Sequence, residues 1–484
     1  MSSGRNIVDF GGFGSAPKRD LMIRAHHQPG LDWIAPLNEV NEMVVPSNEA
    51  LLVGAADRQS FGDRLIPHVL GRLLHLSKVR CAGLVSSDAT ASGAYSVRNY
   101  GESLLQMRSP RLKLIHSGGD VLGMSLIEGY GAAVTGEEAE RFESLAMISG
   151  NGELLRYVQR RTGQISEFAY VLEPEGEYYG AGLAFHAVGL PQPDSLGARK
   201  EALLEVLRKA QFVGIRDENG ANFLENEGIS VERMPCALSV LPQVCARQLR
   251  EGRDRAAISA IRRRFPNGWI AVETSGVSDS DFEKLSHALR TVSESENLGL
   301  VFFSAERQRG RAASDGVRRW VEAFAEWEAA EFASDHLFET ASFLLHSRLY
   351  CGSCLSSRIV CMSGGVARIN VPTGSPAARS YCELWEHDDV PIEFSEEEDW
   401  TAALFEALSE DYSLLQEHAA WLHGRYRESF DRFCHQAGVE ARLVPGEVVS
   451  LHEELAGRRH HLYDEWLQAR AGGKRPGLLA NQAE

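Results

Sequence analysis

Two Rossmann-like α/β domains with a helical C-terminal tail form the fold class that the sequence predicts. Three observations predict it. Short apolar runs alternate with amphipathic helical stretches in two successive series. Glycine-rich turns fall at the ends of the apolar runs, as at Ser117, Gly118, Gly119 and Asp120. A long, arginine-rich helical stretch over 238–265 separates the two series. Strands alternating with helices at this spacing imply right-handed crossovers and a mostly parallel sheet.

Taken in order, residues 1–47 are rich in Gly, Pro and His and read as an irregular extension. The first domain spans 48–245 and opens on Leu51, Leu52 and Val53, a buried-strand run. A helix over 63–74 follows, with the stripe Leu65, Ile66, Val69, Leu70, Leu73 and Leu74. Next come an apolar run at 79–85, a helix ending near 107 and a strand at 112–115. A strand at 181–188, a helix at 197–209 and a strand at 212–215 continue the series. A helix at 217–227 with Gly228 as its C-cap and a short strand at 231–234 complete it. The second domain, 255–395, has strands at 269–272 and 298–303 and helices at 279–293 and 317–327. Apolar runs at 343–346 and 359–362 extend it, and Arg348 is read as the carboxyl end of a strand. The tail over 396–471 is helical, and residues 472–484 read as a disordered end.

Composition excludes several classes. The chain has 484 residues, 44% hydrophobic and 24% charged, which is ordinary globular composition. Its 50 basic and 67 acidic residues leave a net charge of -17, which repels a nucleic-acid backbone. No run of 18 apolar residues predicts an integral membrane span, and the N-terminus shows no signal-peptide pattern. Eight scattered cysteines are expected to be reduced, so a cytoplasmic location follows. Neither the dinucleotide nor the P-loop glycine fingerprint is present. Cys351 and Cys354 form a C-x-x-C with no partner pair, so no metal site is expected and the two read as buried packing residues.

Four segments, in order, resemble the polysaccharide pyruvyl transferase family. They are Phe61-Gly62-Asp63-Arg64-Leu65-Ile66, Leu114-Ile115-His116-Ser117-Gly118-Gly119, Val213-Gly214-Ile215-Arg216-Asp217-Glu218, and Leu345-His346-Ser347-Arg348-Leu349-Tyr350. Together they cover roughly 51–370. The resemblance implies two Rossmann-like domains facing across a cleft, a GT-B-like arrangement. It also implies transfer of pyruvate from phosphoenolpyruvate onto two sugar hydroxyls as a ketal, with no cofactor besides that donor. The partners are then a small anionic donor and a glycan acceptor; a homo-oligomer is compatible with this. The chain departs from the family where Tyr350 stands in place of the family His, and where Cys236 and Ala237 follow Pro235. A nucleotide-sugar glycosyltransferase and a catalytically inactive binding protein on the same scaffold therefore stay open.

The candidate residues divide by chemistry. Arg348, with Ser353 nearby, offers a planar fork and a hydroxyl for a donor anion; its structural alternative is a surface ion pair. Arg307, Arg309 and Arg311 alternate in a loop beyond a strand, an anion gate or a solvated loop. His346, His116 and His186 are proton carriers near neutral pH or satisfied core residues. Tyr350 titrates too high, unperturbed, for efficient proton cycling. Gly62, Asp63, Gly118, Gly119 and Arg216 are expected on the acceptor side of the cleft. Asp63 and Asp217 each also suit a helix N-cap.

Overall fold

The computed structural model describes residues 49–442, leaving out 77, 108–110, 174–181, 306–312, 373–375 and 396–398, and the side chains of 313–315. Arg307, Arg309 and Arg311 lie outside the described residues, as do 1–47 and the predicted tail beyond 442.

Among the described residues seven strands form the first sheet: β1 Ala50–Val53, β2 Cys81–Gly83, β3 Val97–Asn99, β4 Lys113–Ser117, β5 Gly182–Val188, β6 Phe212–Ile215 and β7 Glu232–Arg233. Their order is 3-2-1-4-5-6-7, and every pairing is parallel. Five more form the second sheet: β8 Trp269–Glu273, β9 Gly299–Phe303, β10 Ala329–Glu331, β11 Leu349–Gly352 and β12 Ala367–Asn370. Their order, 10-9-8-11-12, repeats the 3-2-1-4-5 pattern, again all parallel. Central strands such as Ala50–Val53 are buried along their whole length. That is why they read as unbroken apolar runs rather than alternating ones. In each sheet the strand order reverses once, between β1 and β4 and between β8 and β11, and ligands of open parallel sheets gather outside the carboxyl ends there.

Among the described residues three apolar cores hold the fold. One lies within the first domain, one within the second, and the third joins them. The third includes Leu65 and Val69 of helix Phe61–Leu73, Phe343 and Leu344 of helix Leu337–Leu345, and Ile359 and Val360 of helix Leu355–Ser363. Each of these side chains is fully buried, which stabilises by about 1.5–3 kcal/mol per residue. At Gly62 the first of these helices touches the third, and an added methyl would overlap the Ser356 side chain.

The apolar runs at 343–346 and 359–362 are therefore helical where the sequence reading continued the strand series. They are buried on every side, so the polar stripe that marks a helix is missing. The strand begins only at Leu349, which moves Arg348 to its amino end. The tail is helical over Trp400–Ser409 and Tyr412–Ala437. The second of these helices returns to the first domain. Phe433 packs edge-on against Phe212, Arg432 pairs with Glu232, and Ala441 bridges Leu74.

Candidate functional site

The carboxyl ends of β1, β2 and β3 and of β9 and β10 border one cleft of about 950 Å³. Asp57, Arg64 and Ser87 line it from the first domain, and Ser304 and Asp335 from the second. The cleft lies to one side of the switch points. Nearer the centre the domains are joined by Gly62 against Ser356, by the Trp385 indole N–H donating to the Arg216 carbonyl at 2.8 Å, and by the Asn219 N–H donating to Ser380 at 2.9 Å.

Asp57 is a tightly held polar group on the cleft wall. It follows β1 and is 1% exposed. Its Oδ2 accepts the backbone N–H groups of Leu84 at 2.7 Å and Val85 at 3.1 Å, and its Oδ1 accepts the Tyr170 hydroxyl at 2.9 Å. Gly83 lets the carboxyl approach β2, since a side chain there would overlap it. A carboxylate has about four acceptor sites, so three donors leave one. Burial pushes its pKa up to about 6, and the hydrogen bonds from Val85 and Tyr170 only partly offset that.

A second polar cluster closes the far wall. Glu138 accepts from Tyr130 at 2.5 Å, from Tyr157 at 2.6 Å, and from Arg161 at 2.7 Å. Its charge is thereby balanced, and Tyr130, Glu138 and Arg161 present a polar surface to the cleft. Glu102 and Asp88 add carboxylates along the same edge.

The residues named from sequence take varied places. Gly118 and Gly119 end β4 with φ of 60° and 70°, a left-handed pair that suits glycine. Gly119 leaves room for Asp63, and Asp63 is ion-paired with Arg58, whose Nε lies 3.0 Å away. Asp63 makes no helix cap. Arg216 is 5% exposed and pairs with Asp120 at 2.9 Å, at the carboxyl edge of the same sheet. Asp217 does cap the next helix, accepting the Gly220 N–H at 2.8 Å. Ser353 follows β11 and its hydroxyl sits 3.0 Å from Glu273. Asp63, Gly118 and Gly119 thus lie by the switch point of the first sheet, with the Arg216–Asp120 pair beside them, whereas Ser353 lies by that of the second.

The proton carriers do not join them. His116 is fully buried, stacks on Phe185 and accepts the Leu172 N–H at 2.9 Å. His186 is fully buried too, bonded to the Tyr426 hydroxyl at 3.1 Å under the returning helix. Burial lowers both to a pKa of about 3, so they stay neutral. Tyr350 is fully buried, its hydroxyl 3.1 Å from both the N–H and the carbonyl of Cys354. Burial raises it well above the usual phenol range. His346 caps helix Leu337–Leu345, its Nδ1 2.7 Å from the Ser342 carbonyl, so it ends a helix rather than a strand. Arg348 packs against Gly268 at the amino end of the second sheet, away from the carboxyl edges. Cys351 and Cys354 are buried thiols, as the packing reading expects.

Asp57, Glu138, Arg161 and Glu273 were missed by sequence reasoning. Asp57 carried one signal, an acid just beyond a buried strand; Glu138 and Arg161 lie on surface-like helices and carried none. Among the described residues no group of His, Cys, Asp or Glu is placed to hold a metal ion, and no helix is long and apolar enough to cross a membrane.

No protein-family model and no curated protein sequence matches the chain. Solved structures do resemble it. UDP-GlcNAc 2-epimerase from Methanocaldococcus jannaschii is 9% identical over 75% of this chain and 93% of its own, with a TM-score of 0.46. The N-terminal domain of Candida albicans trehalose-6-phosphate phosphatase is 11% identical over 88% and 99%, with a TM-score of 0.45. A UDP-forming trehalose-phosphate synthase from Burkholderia xenovorans is 12% identical over 69% and 75%, with a TM-score of 0.40. The chain's own strand order, with the 3-2-1-4-5 pattern in each parallel sheet, makes it a pair of Rossmann-like domains.

Proposed function

We propose that the chain is a transferase that modifies a sugar-containing acceptor in the cleft over β1–β3, with a nucleotide sugar as donor. The observation that supports this is the polar cleft of about 950 Å³ between the carboxyl edges of two Rossmann-like sheets. Such a volume suits a donor of nucleotide-sugar size beside an acceptor and is large for a three-carbon acid. Carboxylates and hydroxyls along the wall match a polyhydroxylated ligand, since a carboxylate accepts strongly from hydroxyl donors. Asp57, with its pKa near 6, would take the proton of the attacking acceptor hydroxyl as the donor's leaving group departs. Pyruvyl transfer drew instead on Arg348 at the other end of the sheet and on Tyr350 in the core.

Incubating the full chain with UDP-, GDP- and ADP-sugars and a panel of glycans, and following nucleotide release, tests this reading. Acceptor-dependent release of one nucleotide is expected. Phosphate release from phosphoenolpyruvate, with no turnover of any nucleotide sugar, would restore the pyruvyl transferase reading. Tight glycan binding without turnover of either donor would leave a binding protein.

A further inference from the structure

Three loops of the second domain converge on one carboxylate. Glu273 ends β8 and is fully buried. Its Oε1 accepts the backbone N–H of Ser275 at 3.1 Å, the Ser275 hydroxyl, and the N–H of Ala305, beyond β9, at 3.4 Å. Its Oε2 faces the N–H and hydroxyl of Ser353, beyond β11, at 3.4 and 3.0 Å. Gly352 makes room for it, because a side chain there would overlap the Glu273 Cβ. Strands β8 and β11 flank the switch point of the second sheet. At such points the loops' backbone donors normally turn toward a ligand's anionic group. Ser304 and Ala305 also line the cleft, so this cradle borders the candidate site.

We infer that Glu273 is a built-in anion that fills the second domain's oxyanion cradle and competes there with the phosphate of any ligand. A carboxylate and a phosphate ask for the same N–H and O–H donors. The carboxylate is tethered, so its effective concentration at those donors is in the millimolar range or above. A free phosphate must displace it or bind elsewhere. The wild-type protein therefore holds phosphate groups weakly at the switch point, and selectivity shifts to the sugar and the acceptor in the neighbouring cleft. The inference goes beyond the proposed transfer reaction and holds whichever donor is used.

Isothermal titration of the full chain with inorganic pyrophosphate tests it without any turnover. Glu273→Ala is expected to bind pyrophosphate at least about tenfold more tightly than wild type, with Glu273→Gln in between. Adding Ser353→Ala to Glu273→Ala is expected to remove most of the gain. Equal or weaker binding in the Glu273 variants overturns the inference, and so does a gain that survives Ser353→Ala. Where Glu273→Ala does not fold, the near-isosteric Glu273→Gln carries the same comparison, alone and with Ser353→Ala, and the same criteria. Failure of the transferase reading would show as absent turnover and leave these affinities unchanged.

Discussion

Asp57 in the first domain and the side chain of Glu386 in the second are both almost fully buried, yet they are held in opposite ways. Asp57 is bonded by two backbone amides and a phenol. Burial dominates and lifts its pKa to about 6. Around Glu386 burial also pushes upward, but Arg368 and Arg358 outweigh it and hold the carboxyl at about 2. Arg358 approaches at 2.7 Å, and both guanidinium groups are fully buried. Burial alone therefore does not mark a functional carboxyl. The absence of a dominant cationic partner leaves the pKa of Asp57 raised, whereas Glu386 is fixed as a structural anion.

Substitutions can break this contrast. Asp57→Asn should lower turnover by about 10²–10⁴-fold and remove a rise in rate centred near pH 6, read from a pH–rate profile. Unchanged turnover would reduce Asp57 to a tie between β1 and β2. Glu386→Gln should cost about 3–5 kcal/mol in urea unfolding, because two buried guanidinium groups lose their anion. A loss below about 1 kcal/mol would mean that the cluster relaxes to water. Gly62→Ala should cost about 1–3 kcal/mol by pushing helix Phe61–Leu73 away from Ser356, again by urea unfolding.

Acid sharpens the comparison through the buried histidines. Burial holds His116 and His186 at about 3, and His68 and His418 at about 4, against 6.5 when unfolded. Below 6.5 the unfolded chain binds more protons at these four sites, so their contribution falls as pH drops from 6.5 toward 3. Asp57 and Asp217 work the other way. Each is raised from 3.8 to about 6, burial being the largest cause, so their contribution is full below 3.8 and is lost as pH rises through 6. Four groups against two give a net loss of stability between pH 7 and 5, measured by urea midpoints. A flat or rising profile would show that the buried histidines do not dominate the response to acid. The smallest effect is expected at Tyr350→Phe, which removes hydrogen bonding to Cys354 at a cost of about 1 kcal/mol and leaves turnover unchanged.

Much of the architecture was legible in the sequence because parallel strands buried on both faces read as apolar blocks. The strand at 212–215 and the cap at Asp217 are where the residues put them. Helices Leu337–Leu345 and Leu355–Ser363 escaped because burial on all sides removes their periodicity. That one ambiguity displaced Arg348 from the carboxyl to the amino end of β11. The glycine pair Gly118–Gly119 was readable from its place after a strand. The Asp57 hydrogen bonds were not, since Tyr170 lies 113 residues away and only the folded chain brings them together.

The candidate cleft lies at the carboxyl edges of the sheets, and Arg348 at the amino end of the second. Titrating three full-length proteins with UDP-glucose, or with whichever nucleotide sugar proves to be turned over, tests this most directly. Ala91 lines the cleft, and Ala91→Trp would fill part of it; Arg348 sits at the opposite end of β11. The prediction is that Ala91→Trp weakens binding at least about tenfold while Arg348→Ala leaves it within about twofold of wild type. Loss of binding in Arg348→Ala, with Ala91→Trp unaffected, would contradict the site.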